Sequence, residues 1–216
     1  MFFKEIIFDL DGTLLDTIDD LGTASNYAME LCGFPTHPLD KYRQKVGHGI
    51  RNLIINALPQ GQSDETVDKA LAIFVDYYIS HIDVHTKPYA GIPELLRDLQ
   101  AAGTKVAIAS NKFQRGTEKL AGKFFPDIRF CALFGNREGA PLKPSPEIVR
   151  EAMRLGGVTD SVAMVGDSPT DIKTAKNAGI PAIAVSWGFR GRDVLSAEQP
   201  DYLIDNIEDL RKLILP

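Results

Sequence analysis

Near the start of the chain an apolar run, Ile6-Ile7-Phe8, ends abruptly in Asp9-Leu10-Asp11-Gly12-Thr13. A short Ile/Phe run bounded by turn residues reads as a buried parallel strand whose side chains alternate between two faces. After Thr13 the period changes. Ile18, Leu21, Ala24, Ala28 and Leu31 recur at three- and four-residue steps and predict an amphipathic helix that ends near Gly33 and Pro35. Further helices are expected over 39–46, 50–58 and 63–82, the last with Val67, Leu71, Phe74, Tyr78 and Ile82 as its apolar stripe. Four helices in succession with no strand among them predict a small bundle.

From Pro88 onward strands and helices alternate. Helix is expected over 93–102, then a strand Lys105–Ala109 ending at Ser110-Asn111, a helix, and a short strand near 130–134. The pattern continues with a helix over 145–155, a strand over 162–165 ending at Gly166-Asp167, and a helix over 170–178. Strands at 182–185 and 202–204 precede a last helix. This alternation predicts an α/β fold: right-handed crossovers and a parallel sheet covered on both faces. The bundle interrupts it after the first strand, giving a discontinuous core of residues 1–15 and 86–216 and a helical insertion of residues 16–85.

Composition narrows the function classes. The 216 residues can bury a sizeable core, and their apolar content is that of an ordinary globular protein. A formal charge of −5 with no Lys/Arg-rich run argues against a nucleic-acid partner. No stretch of ~20 apolar residues is present, so no membrane partner is expected. The start, Met1-Phe2-Phe3-Lys4-Glu5, has no basic segment ahead of an apolar one, so no signal peptide is read there. The two cysteines, Cys32 and Cys131, lack metal-ligand or redox spacing and fit buried thiols in a reducing cytoplasm.

Asp9 and Asp11 are expected to emerge together at the carboxyl end of the first strand, where ligands of open α/β sheets bind. Two carboxylates ~4 Å apart repel by about 4 kcal/mol at an effective dielectric near 20. A proton, a metal ion or a lysine must relieve this, unless the pair only caps the next helix. Three further motifs follow in order, each at a strand end or in the loop after one: Ser110-Asn111, Lys143-Pro144 and Gly166-Asp167-Ser168-Pro169-Thr170-Asp171.

Together these four ordered motifs resemble those of the haloacid dehalogenase superfamily of phosphotransferases, over the whole α/β part. The resemblance implies a Rossmann-like parallel-sheet core with an inserted four-helix cap domain, and a phosphatase dependent on Mg2+. Asp9 is then the nucleophile that becomes phosphorylated and also ligates the metal. Asp11 is the general acid and base, and its backbone carbonyl is a second metal ligand. Ser110, Asn111 and Lys143 bind the phosphoryl group, and Asp167 is the acidic metal ligand. Asp171 and Thr13 support this inner set, Asp171 by orienting Lys143 or metal-bound water. Lys112, by contrast, reads as a solvated lysine.

Local similarities at Val46–Gly49, Pro88–Gly91 and Trp187–Phe189 point within the superfamily to phosphoglycolate phosphatases. The implied partner is a small phosphorylated metabolite, and the chain is expected to be a monomer or weak homo-oligomer. Gly47-His48-Gly49 with Arg51 either selects substrate at the cleft or is a plain interhelical turn. Trp187-Gly188-Phe189-Arg190, after the fifth predicted strand, either lines the cleft or, the preferred reading, covers the core as an aromatic loop. A β-phosphoglucomutase-like phosphomutase or a pyrophosphatase would share the core residues, and a catalytically silent binding or regulatory protein would share the fold. Dehalogenation is disfavoured by Asp11, which such enzymes usually lack.

Overall fold

The computed structural model describes residues 3–215; Met1 and Phe2, part of the segment read for a leader, and Pro216 lie outside the described residues. Strand β1 (Glu5–Phe8) leads through the Asp9–Thr13 turn into a two-residue strand, β2 (Leu15–Asp16). That strand pairs antiparallel with β3 (Lys87–Pro88). Between the two lie α1 (Ile18–Leu31), a 3-10 helix (Leu39–Gln44), α2 (Ile50–Ala57) and α3 (Asp64–His81). The chain therefore leaves and re-enters the α/β part side by side. Asp20 of α1 fastens this junction by accepting hydrogen bonds from the His85 and Thr86 amides and the Thr86 hydroxyl at 2.8–3.0 Å.

The remainder alternates: α4 (Ile92–Ala101), β4 (Lys105–Phe113), α5 (Gln114–Phe124), β5 (Phe130–Asn136), α6 (Glu147–Gly156), β6 (Val162–Gly166), α7 (Pro169–Ala178), β7 (Ala182–Val185), α8 (Arg192–Ala197), β8 (Tyr202–Ile204) and α9 (Ile207–Ile214). Six strands form one sheet in the order β5-β4-β1-β6-β7-β8, and every pairing is parallel. Period-two alternation divides the core. Ile6, Phe8, Val106, Ile108, Val165 and Ile183 pack on one face with α4, α5 and α9. Ile7, Ala107, Ala109, Met164, Ala182 and Ala184 pack on the other, where the small alanines leave room for α6 and α7. The larger cluster extends without a break into the helical insertion through Leu21, Tyr42, Leu53, Phe74 and Tyr78.

Four features depart from the sequence expectation. The second insertion helix is a 3-10 helix with only Tyr42 buried, so one side chain rather than a stripe anchors it. Strand β4 runs on through Ser110, Asn111 and Lys112, all buried, and resumes pairing with β5 at Phe113 after an irregularity. Helix α8 buries only Leu195 and is too short to show a period. Both cysteines are half-buried free thiols, and the Cys131 thiol donates to Glu5 Oε1 at 3.5 Å. Among the described residues no helix is long and apolar enough to cross a membrane.

The topology places the site. From β1 the chain moves outward through β4 and β5, then returns to β6 on the other side of β1. Strand order thus reverses at β1, and the crevice at such a reversal is where ligands of open α/β sheets sit.

Candidate active site

Asp9 directly follows β1, and its amide donates to the Val165 carbonyl of β6 at 2.9 Å, which fixes the end of one strand against the other. The next residues turn back sharply. Gly12 takes φ +83°, and a Cβ there would stand 2.3 Å from Asp167 Oδ2, so both conformation and space demand glycine. Gly188, in the loop after β7, approaches as closely: its Cβ would lie 2.3 Å from the Gly12 carbonyl oxygen. Backbone from two segments, the turn at Gly12 and the loop at Gly188, is therefore pressed against one carboxylate, Asp167.

Three buried carboxylates meet here. Asp9, Asp167 and Asp171 each offer an oxygen within 4.8 Å of the others. One ammonium stands among them. Lys143 is buried, and its Nζ has three acceptors: Asp171 Oδ1 at 2.7 Å, the Ala109 carbonyl at 2.9 Å and Asp9 Oδ1 in an ion pair at 2.9 Å. Burial alone would pull this ammonium down, but Asp171 and Asp9 outweigh it and hold Lys143 above the ordinary lysine range. If all three carboxylates are ionised, one lysine leaves two negative charges uncompensated. The protonation equilibria show the strain of that arrangement. Burial pushes Asp9 up to about 6, the Lys143 charge acting against it and Asp171 with it. Asp167 is raised to about 8 by burial and by the Asp171 and Asp9 charges. A set of hard carboxylate oxygens with two charges in excess suits a small divalent cation.

The residues behind the cluster are committed to holding it. Asp171 forms a capping box at the start of α7: Oδ2 accepts from the Ser168 amide and hydroxyl at 3.1 and 2.6 Å while Oδ1 holds Lys143. Asp167 accepts from the Phe189 amide at 2.6 Å and from the Thr13 hydroxyl at 3.3 Å. The Trp187 indole in turn donates to the Thr13 carbonyl at 3.2 Å. The loop 187–190 does both things read for it: Trp187 and Phe189 pack on the core, while Phe189 and Arg190 line the cleft.

Asp11 stands apart from the three-carboxylate cluster. Both of its side-chain oxygens accept from Lys112 Nζ at 3.1 Å, and the same ammonium donates to the Tyr78 hydroxyl of α3 at 2.6 Å. Lys112 is therefore buried and paired, not solvated, because β4 continues past Ser110 and carries it under the helical insertion. Ser110 is buried at the cleft floor, where its Oγ accepts from the Lys112 amide at 3.3 Å and keeps its own proton free to donate. Asn111 also lines the cleft, but its amide is engaged: Nδ2 donates to the Gly47 and Lys143 carbonyls at 3.1 Å and Oδ1 accepts from the Lys143 amide at 2.8 Å. Both amide hydrogens and the amide oxygen of Asn111 are thus engaged within the protein, tying the Lys143 backbone to the insertion.

His48 is exposed, with Nε2 3.4 Å from the Thr170 hydroxyl at the rim. Arg51 does not face the cleft. It pairs with Asp64 and Asp68, one turn apart on α3, at the outer surface. The arginine that does line the cleft is Arg190, after the fifth strand of the sheet by chain order. Its signal in the sequence was position alone, just past a predicted strand end.

Known proteins share this architecture. A model of haloacid dehalogenase-like hydrolases matches residues 6–185. The chain belongs to that family. A phosphoglycolate phosphatase from Mesorhizobium japonicum is 36% identical over 209 residues, covering 95% of this chain and 92% of that protein. One from Vibrio parahaemolyticus is 31% identical over 226 residues, covering 98% and 96%. Among solved structures, a candidate phosphoglycolate phosphatase from Lactobacillus delbrueckii subsp. bulgaricus superposes with a TM-score of 0.92 at 32% identity, over 100% of this chain and 99% of that one. Within the haloacid dehalogenase-like hydrolases this chain is a phosphoric monoester hydrolase.

Proposed function

We propose that the chain is a magnesium-dependent phosphatase that hydrolyses a small phosphate monoester through phosphorylated Asp9, with a substrate of the phosphoglycolate kind. The observation that carries this reading is the trio of buried carboxylates sharing one buried ammonium, with Asp9 open to the cleft. The relatives named for phosphoglycolate support the substrate class.

Phosphate-monoester hydrolysis is among the slowest uncatalysed reactions, and positioning with charge compensation must supply most of the acceleration. Asp9 attacks phosphorus, the ester P–O bond breaks, and Asp11, which enters this step as the protonated acid and not as the ionised partner of Lys112, gives the leaving alkoxide its proton. Water then attacks phospho-Asp9, Asp11 takes the proton back, and inorganic phosphate leaves. Lys143 lies beside the attacking oxygen, where it neutralises an incoming phosphoryl oxygen, and Ser110 donates to another. Asp9, Asp167 and the Asp11 carbonyl would hold the metal, with Asp171 and Thr13 keeping Lys143 and Asp167 in place. Bound there, magnesium supplies the positive charge that lets a carboxylate approach a phosphate dianion. Residues 16–85 serve as a cap over the cleft, joined to the core through Asn111–Gly47, Lys112–Tyr78 and Arg43–Gly188.

Phosphate release from an aryl phosphate, measured with magnesium and with EDTA, tests the reading; turnover that does not need the metal contradicts it. The raised carboxyls add a second expectation. Because folding lifts Asp9 and Asp167 above their ordinary range, the metal-free fold keeps protons that the unfolded chain has already released. The contribution of this pair to stability therefore falls as pH rises toward about 8. Magnesium must displace those protons, so its stabilising effect should grow over the same window. Melting temperatures at about pH 5.5 and 8.5, with and without magnesium, check both statements, and Asp167→Asn should flatten the difference.

A further inference from the structure

One cation in the cleft has no part in the reaction above. Arg190 donates through Nη2 to the Val46 carbonyl of the insertion at 2.8 Å. Its Nη1 is buried and has no hydrogen-bond partner among the described residues. Leu21, Val46, Ile50, Leu53 and Phe189 give the wall its apolar part, and Asp167 and Asp171, on the same wall, act on the guanidinium through space with no hydrogen bond to it. A buried donor without an acceptor costs free energy unless something fills it, and a charged donor costs more. The guanidinium is also held ready. Arg43 reaches from the insertion to the Gly188 carbonyl at 3.1 Å and lies over the Phe189 ring, so the two residues before Arg190 are fastened to the insertion.

We propose that Arg190 is the specificity-determining anchor of the cleft, binding through Nη1 a carboxylate at the non-reacting end of the phosphate ester. This rests on the phosphatase reading. The two buried lysines of the cleft are already matched, Lys143 by Asp9 and Asp171 and Lys112 by Asp11, whereas Arg190 is half-buried. Arg190 alone has a free edge. One guanidinium edge balances one negative charge, which a carboxylate supplies and a second phosphate dianion would exceed. Its planar fork gives the contact direction as well as charge. Because Nη2 stays on the Val46 carbonyl, filling Nη1 also ties the substrate to the insertion.

The test compares kcat/KM for 2-phosphoglycolate and for isobutyl phosphate, in which methyl groups replace the carboxylate oxygens, with magnesium present. Wild type is expected to favour the carboxylate ester by about 100-fold or more, as sites built to bind a polar group do. In Arg190→Met the preference should fall below about tenfold, the loss falling on the carboxylate ester. Arg190→Lys, which keeps stem and charge, backs the comparison if the methionine variant does not fold, and should also lose at least about tenfold of the preference. A wild type without preference overturns the assignment, as does equal loss on both esters, which would place Arg190 on the phosphoryl group or in the fold. A wild type that turns over neither ester overturns the phosphatase reading and this assignment with it.

Discussion

Asp9→Asn is expected to lower kcat by roughly 10⁴-fold or more while leaving a folded, magnesium-responsive protein. The direction follows from chemistry. An amide cannot serve as the oxygen nucleophile that forms an acyl phosphate, and the remaining groups only position and neutralise. The fold should survive because Lys143 keeps its hydrogen bonds to Asp171 and the Ala109 carbonyl. Removing the Asp9 charge also removes one of the repulsions that lift Asp167. Steady-state assays beside denaturant unfolding separate the two effects. Turnover within about tenfold of wild type would show that another group attacks phosphorus.

Lys143→Met is expected to damage both stability and activity. It takes the sole ammonium from between Asp9 and Asp171 and leaves three buried carboxylates facing one another. Breaking a buried ion pair by removing one partner typically costs about 3–5 kcal/mol. Loss of an aimed donor typically lowers kcat by roughly 10²–10³-fold. Lys143→Arg should not restore the wild type, since the ammonium is held by two hydrogen bonds and an ion pair at 2.7–2.9 Å and a planar fork cannot reproduce that geometry. Unfolding by denaturant together with phosphate release measures both losses. A methionine variant as stable as wild type would mean that protons, not Lys143, balance the cluster.

Much of this site was legible in the sequence because it follows strand ends. Asp9, Ser110 and Asp167 each follow a continuous apolar run, and a parallel sheet brings the ends of such runs to one edge, even where, as in β4, the strand itself continues past Ser110. Lys143 was legible from its place in an ordered set of motifs. What stayed hidden depends on pairing across the fold. Lys112 looks like a surface lysine until β4 is seen to continue and Tyr78, distant in the chain, covers it. Arg51 sits beside a glycine-rich turn, yet Asp64 and Asp68 on α3 capture it, and only the packing of α2 against α3 decides that. Arg190 shows the converse. Its neighbours in sequence are aromatic, and its free Nη1 is defined by what the insertion fails to offer.

The most direct test is to find where the phosphoryl group goes. Wild-type protein mixed with a labelled phosphate monoester and magnesium, quenched in acid within the first turnovers and digested, should yield one labelled peptide carrying phosphoryl on Asp9. The label should be released by hydroxylamine, as an acyl phosphate is, and be absent from Asp9→Asn. Hydrolysis that proceeds with no labelled protein, or a label on a residue other than Asp9, would contradict the account.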